Sequence, residues 1–186
     1  MTLWNQGWPQ LQWGAVIGAS LVAAFMDVRS RRIPNLLTGP LLLAGLAWAT
    51  WQAGWAGLAD SALACVLLAV PYVLLFIFAG GGAGDAKMMG AVGAWLGVIN
   101  GLAALMGVSV CAIILAVAWS LAKRRMTDLV VNLTLMVVGA AGRIFGAKAH
   151  TTTPQASDPS RVTMPYGLAI LAGVVIAAAG VWIWHR

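Results

Sequence analysis

The sequence is poor in charged residues. Only 9% of its 186 residues are charged and only five are acidic, whereas a soluble domain carries roughly 25% charged residues. Hydrophobic residues make up 61% of the chain, and its mean hydropathy is +0.89. A chain of this composition cannot cover its surface with solvated side chains, which excludes an ordinary water-soluble domain.

Side chains that bind metals or cofactors are also scarce or badly placed. Cys65 and Cys111 each lie inside an apolar run without a CxxC spacing, which indicates structural thiols. Neither His150 nor His185 belongs to a ligand-like cluster. We therefore expect no metal and no other cofactor.

Nucleotide and nucleic-acid binding are not indicated either. The glycine-rich stretch GGGAGDAKMMG lacks the Gly-Lys-Ser/Thr of a phosphate-binding loop. The net charge of +6 comes from basic residues in short loops beside apolar runs. Basic residues in such loops determine membrane topology, so no nucleic-acid partner is expected.

Long apolar runs are what the chain has instead. They extend over about 15 to 22 residues, the length of helix that crosses a hydrocarbon core of roughly 30 Å. Because the runs are continuous rather than alternating, a membrane β-barrel is excluded. No Lys or Arg precedes the first run, which favours a retained helix over a cleaved signal peptide.

We predict an all-α, polytopic membrane protein that forms a single domain over 1–186. The six predicted transmembrane helices cover 11–26, 34–51, 58–79, 87–99, 101–122 and 165–184. Most basic residues lie in the loops after the first span, before the fourth and after the fifth, all on one side of a six-span protein. Because cytoplasmic loops carry the Lys and Arg excess, we predict that these loops are cytoplasmic and that both termini lie outside.

The segment 126–142 leaves two interpretations open. It is apolar enough for a seventh span, yet Asp128 and Asn132 lie on one helical face and an apolar stripe lies on another. We prefer a helix at the cytoplasmic interface, followed by a polar loop. Residues 126–163 would then form one cytoplasmic region.

Two aspartates are predicted at the cytoplasmic membrane boundary, Asp27 in AFMDVRSRRIPN and Asp85 in GGGAGDAKMMG. A carboxylate in or near hydrocarbon is costly to place. Two carboxylates a few Å apart share a proton, so one can activate a water as a base while the other polarises a carbonyl as an acid. The adjacent glycines would let the backbone bend and another chain approach closely. Alternatively, Asp27 pairs with a loop arginine and Asp85 caps a helix.

These residues resemble motifs of the type IV prepilin peptidases, a family of membrane aspartic peptidases. GAGDAK is similar to the family's GxGD motif, and DVRSRRIPN is similar to its first aspartate segment, in which Ile-Pro-Asn follows the Asp. MPYGLAI, before the last span, resembles the family's C-terminal segment. The resemblance implies that Asp27 and Asp85 are the catalytic pair. The supporting motif positions that it implies are Gly82, Gly84, Lys87, Pro34 and Asn35.

The resemblance also implies a substrate and a location. Members of the family remove the short basic leader of pilin-like precursors at the cytoplasmic face of the cell membrane, so a pilin-like precursor and membrane lipid are the expected partners. Larger members carry an insertion with paired CxxC motifs that is associated with methylating the new N-terminus. This sequence lacks those motifs and resembles the short Flp/Tad-type peptidases, so we expect cleavage without N-methylation.

Two other functions fit the same residues. Intramembrane carboxylates also serve as proton relays, which would suit a small proton-coupled transporter, although no inverted repeat of broken helices is evident. A non-catalytic component of pilus assembly would bind the precursor and leave its leader intact. The oligomeric state is left open by the sequence.

Overall fold

The computed structural model describes residues 9–30, 33–79, 82–122 and 166–184. These residues form four α-helices: α1 (Pro9–Ser30), α2 (Asn35–Ala79), α3 (Ala83–Ala122) and α4 (Tyr166–Trp184). Each helix is long and apolar enough to cross a membrane. The predicted all-α membrane class is confirmed, while the count of six spans stays a prediction. The helix predicted at 126–142 lies outside the described residues.

The helix α2 folds back on itself. Helical geometry is lost at Ala53 and Gly54, and Gly54 adopts a φ of +59°, which a glycine tolerates without a Cβ clash. Thr38, before this break, and Ala69, after it, line the same groove. The parts before and after the break, here called the first and second arms of α2, therefore lie side by side. They contain the second and third predicted spans.

A second break, at Gly97, divides α3 into two arms. Gly97 has a φ of +69°, and the helix restarts at Val98. The first N–H groups of a helix have no partner within it, and here the carboxylate Oδ2 of Asp60 on α2 accepts a hydrogen bond from the Val98 N–H at 3.3 Å. Asp60 had no role in the sequence interpretation, so this capping contact between α2 and α3 is one that the sequence reasoning missed.

The protein core lies around the first arm of α3. Met88 and Leu96 of this arm are fully buried, and the core cluster joins them to Val16 of α1, Leu68 of α2 and Ile170 of α4. Large apolar side chains elsewhere point outward, as expected for a surface that faces lipid. The first arm of α3 is thus the element around which the other three helices are placed.

Polar side chains tie α2 to this central arm. The Trp95 indole Nε1 donates to the carbonyl of Leu41 on the first arm of α2 at 2.8 Å. The Ser61 hydroxyl donates to the carbonyl of Ala94 at 2.8 Å. A backbone or indole polar group that is buried in an apolar bundle without a hydrogen-bond partner costs free energy. Separating either arm of α2 from α3 would break one of these bonds, so the bonds hold both arms against α3.

The helix ends differ from the predicted ones at both aspartates. α1 continues to Ser30, so Asp27 lies in its last turn rather than at its end. The predicted start of the fourth span at Lys87 is wrong, because α3 begins at Ala83 and Asp85 lies in its first turn. Backbone groups in an apolar setting are best satisfied within a helix, and Gly84 lies in the first turn of α3, so the helix begins inside the glycine-rich stretch.

Candidate functional site

Asp27 is held by the beginning of α4. Its carboxylate Oδ2 accepts a hydrogen bond of 2.8 Å from the backbone N–H of Gly167, the second residue of that helix. An N–H in a first helical turn has no partner inside its own helix. The Asp27 carboxylate of α1 provides the hydrogen-bond acceptor for such an N–H at the N-terminus of α4. The contact orients a half-buried carboxylate and joins two helices that are far apart in the sequence.

Gly167 is required by this close approach. A Cβ at position 167 would lie 2.9 Å from the Cα of Ala24 and 3.0 Å from the Cβ of Asp27, both shorter than the roughly 3.5 to 4.0 Å at which carbon atoms pack. Only glycine lets the first turn of α4 reach α1 at this distance. The feature belongs to the MPYGLAI stretch, but the sequence alone did not identify Gly167 as a site residue.

Asp85 is positioned by the glycines before it. Its backbone N–H donates to the carbonyl of Gly82 at 3.2 Å, and a Cβ at Gly82 would lie 2.8 Å from the Asp85 Oδ2. A Cβ at Gly84 would lie 3.1 Å from the Cβ of Ile33 in the connection between α1 and α2. Gly82 thus leaves space for the carboxylate, and Gly84 leaves space for the neighbouring chain.

The fold brings the two predicted aspartates together. Asp27 and Asp85 lie close enough for their carboxylates to interact electrostatically. Among the described residues no group of three His, Cys, Asp or Glu side chains could hold a metal ion. The pair is thus a two-carboxylate arrangement at the meeting point of α1, α3 and the N-terminus of α4.

Two tyrosines complete the surroundings of Asp85, and the sequence interpretation had assigned neither of them a role. Tyr72 of α2 and Tyr166 of α4 both lie within electrostatic range of its carboxylate. Their rings meet edge to face, with centroids 6.2 Å apart. The chain has only two tyrosines, and both are here. The available signals were their scarcity beside ten tryptophans and the position of Tyr166 in the MPYGLAI stretch, but nothing local linked either tyrosine to Asp85.

The remaining motif positions form a separate cluster. The Lys87 Nζ donates to the Asn35 Oδ1 at 2.8 Å, so the ammonium binds an amide at the start of α2. The Pro34 carbonyl accepts hydrogen bonds from the N–H groups of Leu37 and Thr38, which places it at the N-terminus of the same helix. The Lys87–Asn35 hydrogen bond therefore joins α3 to the first arm of α2, and Pro34 caps the start of that arm.

The pair can perform acid and base chemistry on a bound substrate. Two neighbouring carboxylates can divide the work of acid and base, with one accepting a proton while the other donates one. Both carboxylates are half-buried, and charges that are partly removed from water interact more strongly than fully solvated ones. This chemistry suits the addition of water to a carbonyl.

Comparison with known proteins agrees with this chemistry. The type IV leader peptidase family matches residues 14–119, more than half of the chain, and the protein belongs to this family. The family resemblance seen in the sequence is thereby confirmed. The matched region contains Asp27 and Asp85 and ends before α4.

A relative extends the comparison. Over 132 residues the chain is 33% identical to the prepilin leader peptidase/N-methyltransferase of Neisseria gonorrhoeae. The alignment covers 63% of this chain and 46% of that relative, so the chain spans about half the length of the relative it matches. No solved structure matches the chain.

Proposed function

We propose that the protein is a membrane aspartic endopeptidase that removes the short leader from prepilin-like precursors, with Asp27 and Asp85 as its catalytic pair. The observation that carries the proposal is the meeting of these two carboxylates from helices α1 and α3 in a member of the type IV leader peptidase family. The chain has only five acidic residues, and two of them lie within electrostatic range of each other, although a carboxylate in a membrane helix is costly.

The proposed reaction is hydrolysis of one peptide bond. One aspartate takes a proton from a water molecule as its oxygen attacks the scissile carbonyl carbon, and the other donates its proton to the carbonyl oxygen. The tetrahedral intermediate then collapses: its C–N bond breaks, and the first aspartate gives its proton to the leaving nitrogen. As the C=O bond re-forms, the second aspartate takes back a proton from a hydroxyl group of the intermediate. The products are a leader with a new carboxyl end and a precursor with a new amino end.

We propose that the pair lies at the cytoplasmic face. Arg29 and Lys87, the basic side chains of the described residues, each lie two positions after one of the aspartates, and Lys and Arg concentrate on the cytoplasmic side. Each arm of α2 and of α3 would then cross the membrane once. Six crossings with both termini outside follow, and the segment 126–142 would lie at the cytoplasmic interface.

We also propose that cleavage proceeds without N-methylation. The helix α1 ends at Ser30 and α2 begins at Asn35, a connection too short for a further folded unit. The two cysteines are both free, one on each of α2 and α3, so they do not reproduce paired CxxC motifs. The name of the N. gonorrhoeae relative includes a methyltransferase, and the matched region covers less than half of it.

Co-expression with a candidate pilin-like precursor tests the proposal, with the intact mass of the precursor as the readout. We expect loss of the leader mass without an added methyl group. Asp27→Asn and Asp85→Asn should each slow cleavage by roughly 10²- to 10⁴-fold, the usual contribution of a positioned acid or base. Full cleavage by either variant, at equal amounts in the membrane, would overturn the assignment of the pair.

Asp60→Asn is the matched control. It removes one carboxylate by the same substitution, but asparagine caps a helix about as well as aspartate, so Val98 keeps its partner. We expect this variant to remove the leader at the rate of the unmodified protein. Loss of cleavage in all three variants would show that the protein is inactivated by the removal of any carboxylate, and would contradict the assignment of Asp27 and Asp85 as the catalytic pair.

A further inference from the structure

An open groove of about 450 Å³ lies beside the aspartate pair, between the two arms of α2 and the start of α3. The first arm of α2 contributes Asn35, Thr38 and Leu42, and α3 contributes Lys87. Cys65, Ala69 and Val73 of the second arm of α2 line its opposite wall. The proposed peptidase chemistry does not use this groove.

The groove and the pair lie on different sides of the contact between α2 and α3. Tyr72 lies within range of Asp85, whereas the next residue, Val73, lines the groove. Asp85 belongs to the pair, whereas the next residue, Ala86, lines the groove. Successive helical residues point about 100° apart, so both helices present one face to the pair and an adjacent face to the groove.

One end of the groove is charged and the rest is apolar. Lys87 and Asn35 are exposed at this end, where the ammonium donates to the amide oxygen at 2.8 Å. An ammonium has three donor protons, so Lys87 can bind an anion while it keeps this bond. A cation at the end of an apolar channel is complementary to an amphiphile with an anionic head.

We propose that the groove binds an anionic phospholipid of the surrounding membrane, with the acyl chain between the arms of α2 and the phosphate at Lys87. Lys87 lies in the second turn of α3, and long basic side chains near the ends of membrane helices reach the interface where lipid head groups lie.

A photo-crosslinking experiment on the full chain in lipid nanodiscs tests this proposal. The probes are phosphatidylglycerol and phosphatidylcholine that carry the same diazirine in the acyl chain, and peptide mass spectrometry locates the labelled residues. We expect the phosphatidylglycerol probe to label 38–42 and 65–73. Since one basic residue near a membrane surface contributes about 1 kcal/mol to binding of anionic lipid, Lys87→Gln should lower this labelling about five-fold.

Matched variants separate the groove from general charge. Lys87→Arg keeps the cation and should keep the labelling. Arg29→Gln removes one basic residue at the same end of the helices but outside the groove, and should not reduce it. Ala69→Trp fills the groove and should abolish labelling by both probes at these positions, whatever the head group.

Three results would overturn the proposal. The first is equal labelling of the groove by the two probes, and the second is labelling that does not change in Lys87→Gln. The third is stoichiometric displacement of the phosphatidylglycerol probe by a pilin-like precursor, which would assign the groove to the substrate. None of these readouts depends on peptidase activity, so the proposal can fail while the proposed function holds.

Discussion

Replacing Gly167 with alanine would test how the aspartate pair is built. The added Cβ would lie 2.9 Å from the Cα of Ala24, 3.0 Å from the Cβ of Asp27 and 3.2 Å from its Oδ2. Since carbon atoms pack at about 3.5 to 4.0 Å, α4 would have to move from α1 by roughly 0.5 to 1 Å. The same movement would lengthen the 2.8 Å hydrogen bond that orients Asp27.

The expected magnitude follows from the cost of overpacking. An extra methyl group in a packed interior costs about 1 to 3 kcal/mol. If that strain is relieved by displacing Asp27, leader cleavage should slow about 5- to 150-fold, in line with the roughly 10²-fold loss from a 1 Å misplacement. Alanine in a helix is favoured over glycine by up to about 1 kcal/mol, so we expect the variant to remain folded.

The assay is a time course of leader removal at matched amounts of membrane protein. Gly180→Ala is the control, because Gly180 lies on the same helix and has no atom within 4 Å of its added Cβ. We expect this control to cleave as fast as the unmodified protein. If Gly167→Ala and Gly180→Ala cleave at the same rate, Asp27 does not depend on the position of α4 and our reasoning is wrong.

Two further substitutions test the surroundings of the pair and the break in α3. Tyr72→Phe keeps the ring contact with Tyr166 but removes the hydroxyl near Asp85. It should slow leader cleavage roughly ten-fold without lowering the thermal unfolding midpoint. An unchanged cleavage rate would exclude a role for the hydroxyl. Asp60→Ala removes the cap of Val98 and should cost about 1 kcal/mol of stability, measured by thermal unfolding in detergent, and Asp60→Asn should not. Equal midpoints for the alanine and asparagine variants would contradict the capping role.

The parts of the fold that depend on local sequence could be predicted. A run of apolar residues specifies a helix wherever it lies, because hydrocarbon leaves the backbone no other partner. The break at Gly54 falls in the predicted gap between the second and third spans, whereas the break at Gly97 falls inside the predicted fourth span, 87–99. Asp27 and Asp85 were singled out because a carboxylate is rare and costly in such a chain.

The contacts that join distant helices could not be predicted in the same way. No local pattern states that α4 begins against α1, which is what makes Gly167 essential and gives Asp27 its hydrogen bond. The same holds for Tyr72, which lies in an apolar run, and for Asp60, whose partner Val98 belongs to another helix. Hydropathy describes how one helix meets the membrane, whereas these contacts depend on how helices meet each other.

The two glycines before Asp85 show why the spacing of that motif matters. The added Cβ at Gly82 would meet the free end of a carboxylate, which can rotate away, so the cost there falls on the orientation of Asp85. The added Cβ at Gly84 would meet Ile33, which is buried and cannot rotate away, so the cost there falls on the packing of α1 and α2 against α3. Gly82 is therefore needed for the orientation of the Asp85 carboxylate, and Gly84 is needed for the packing of the helices. Neither glycine adopts a positive φ, so space for neighbouring atoms, rather than backbone freedom, is the physical reason for both.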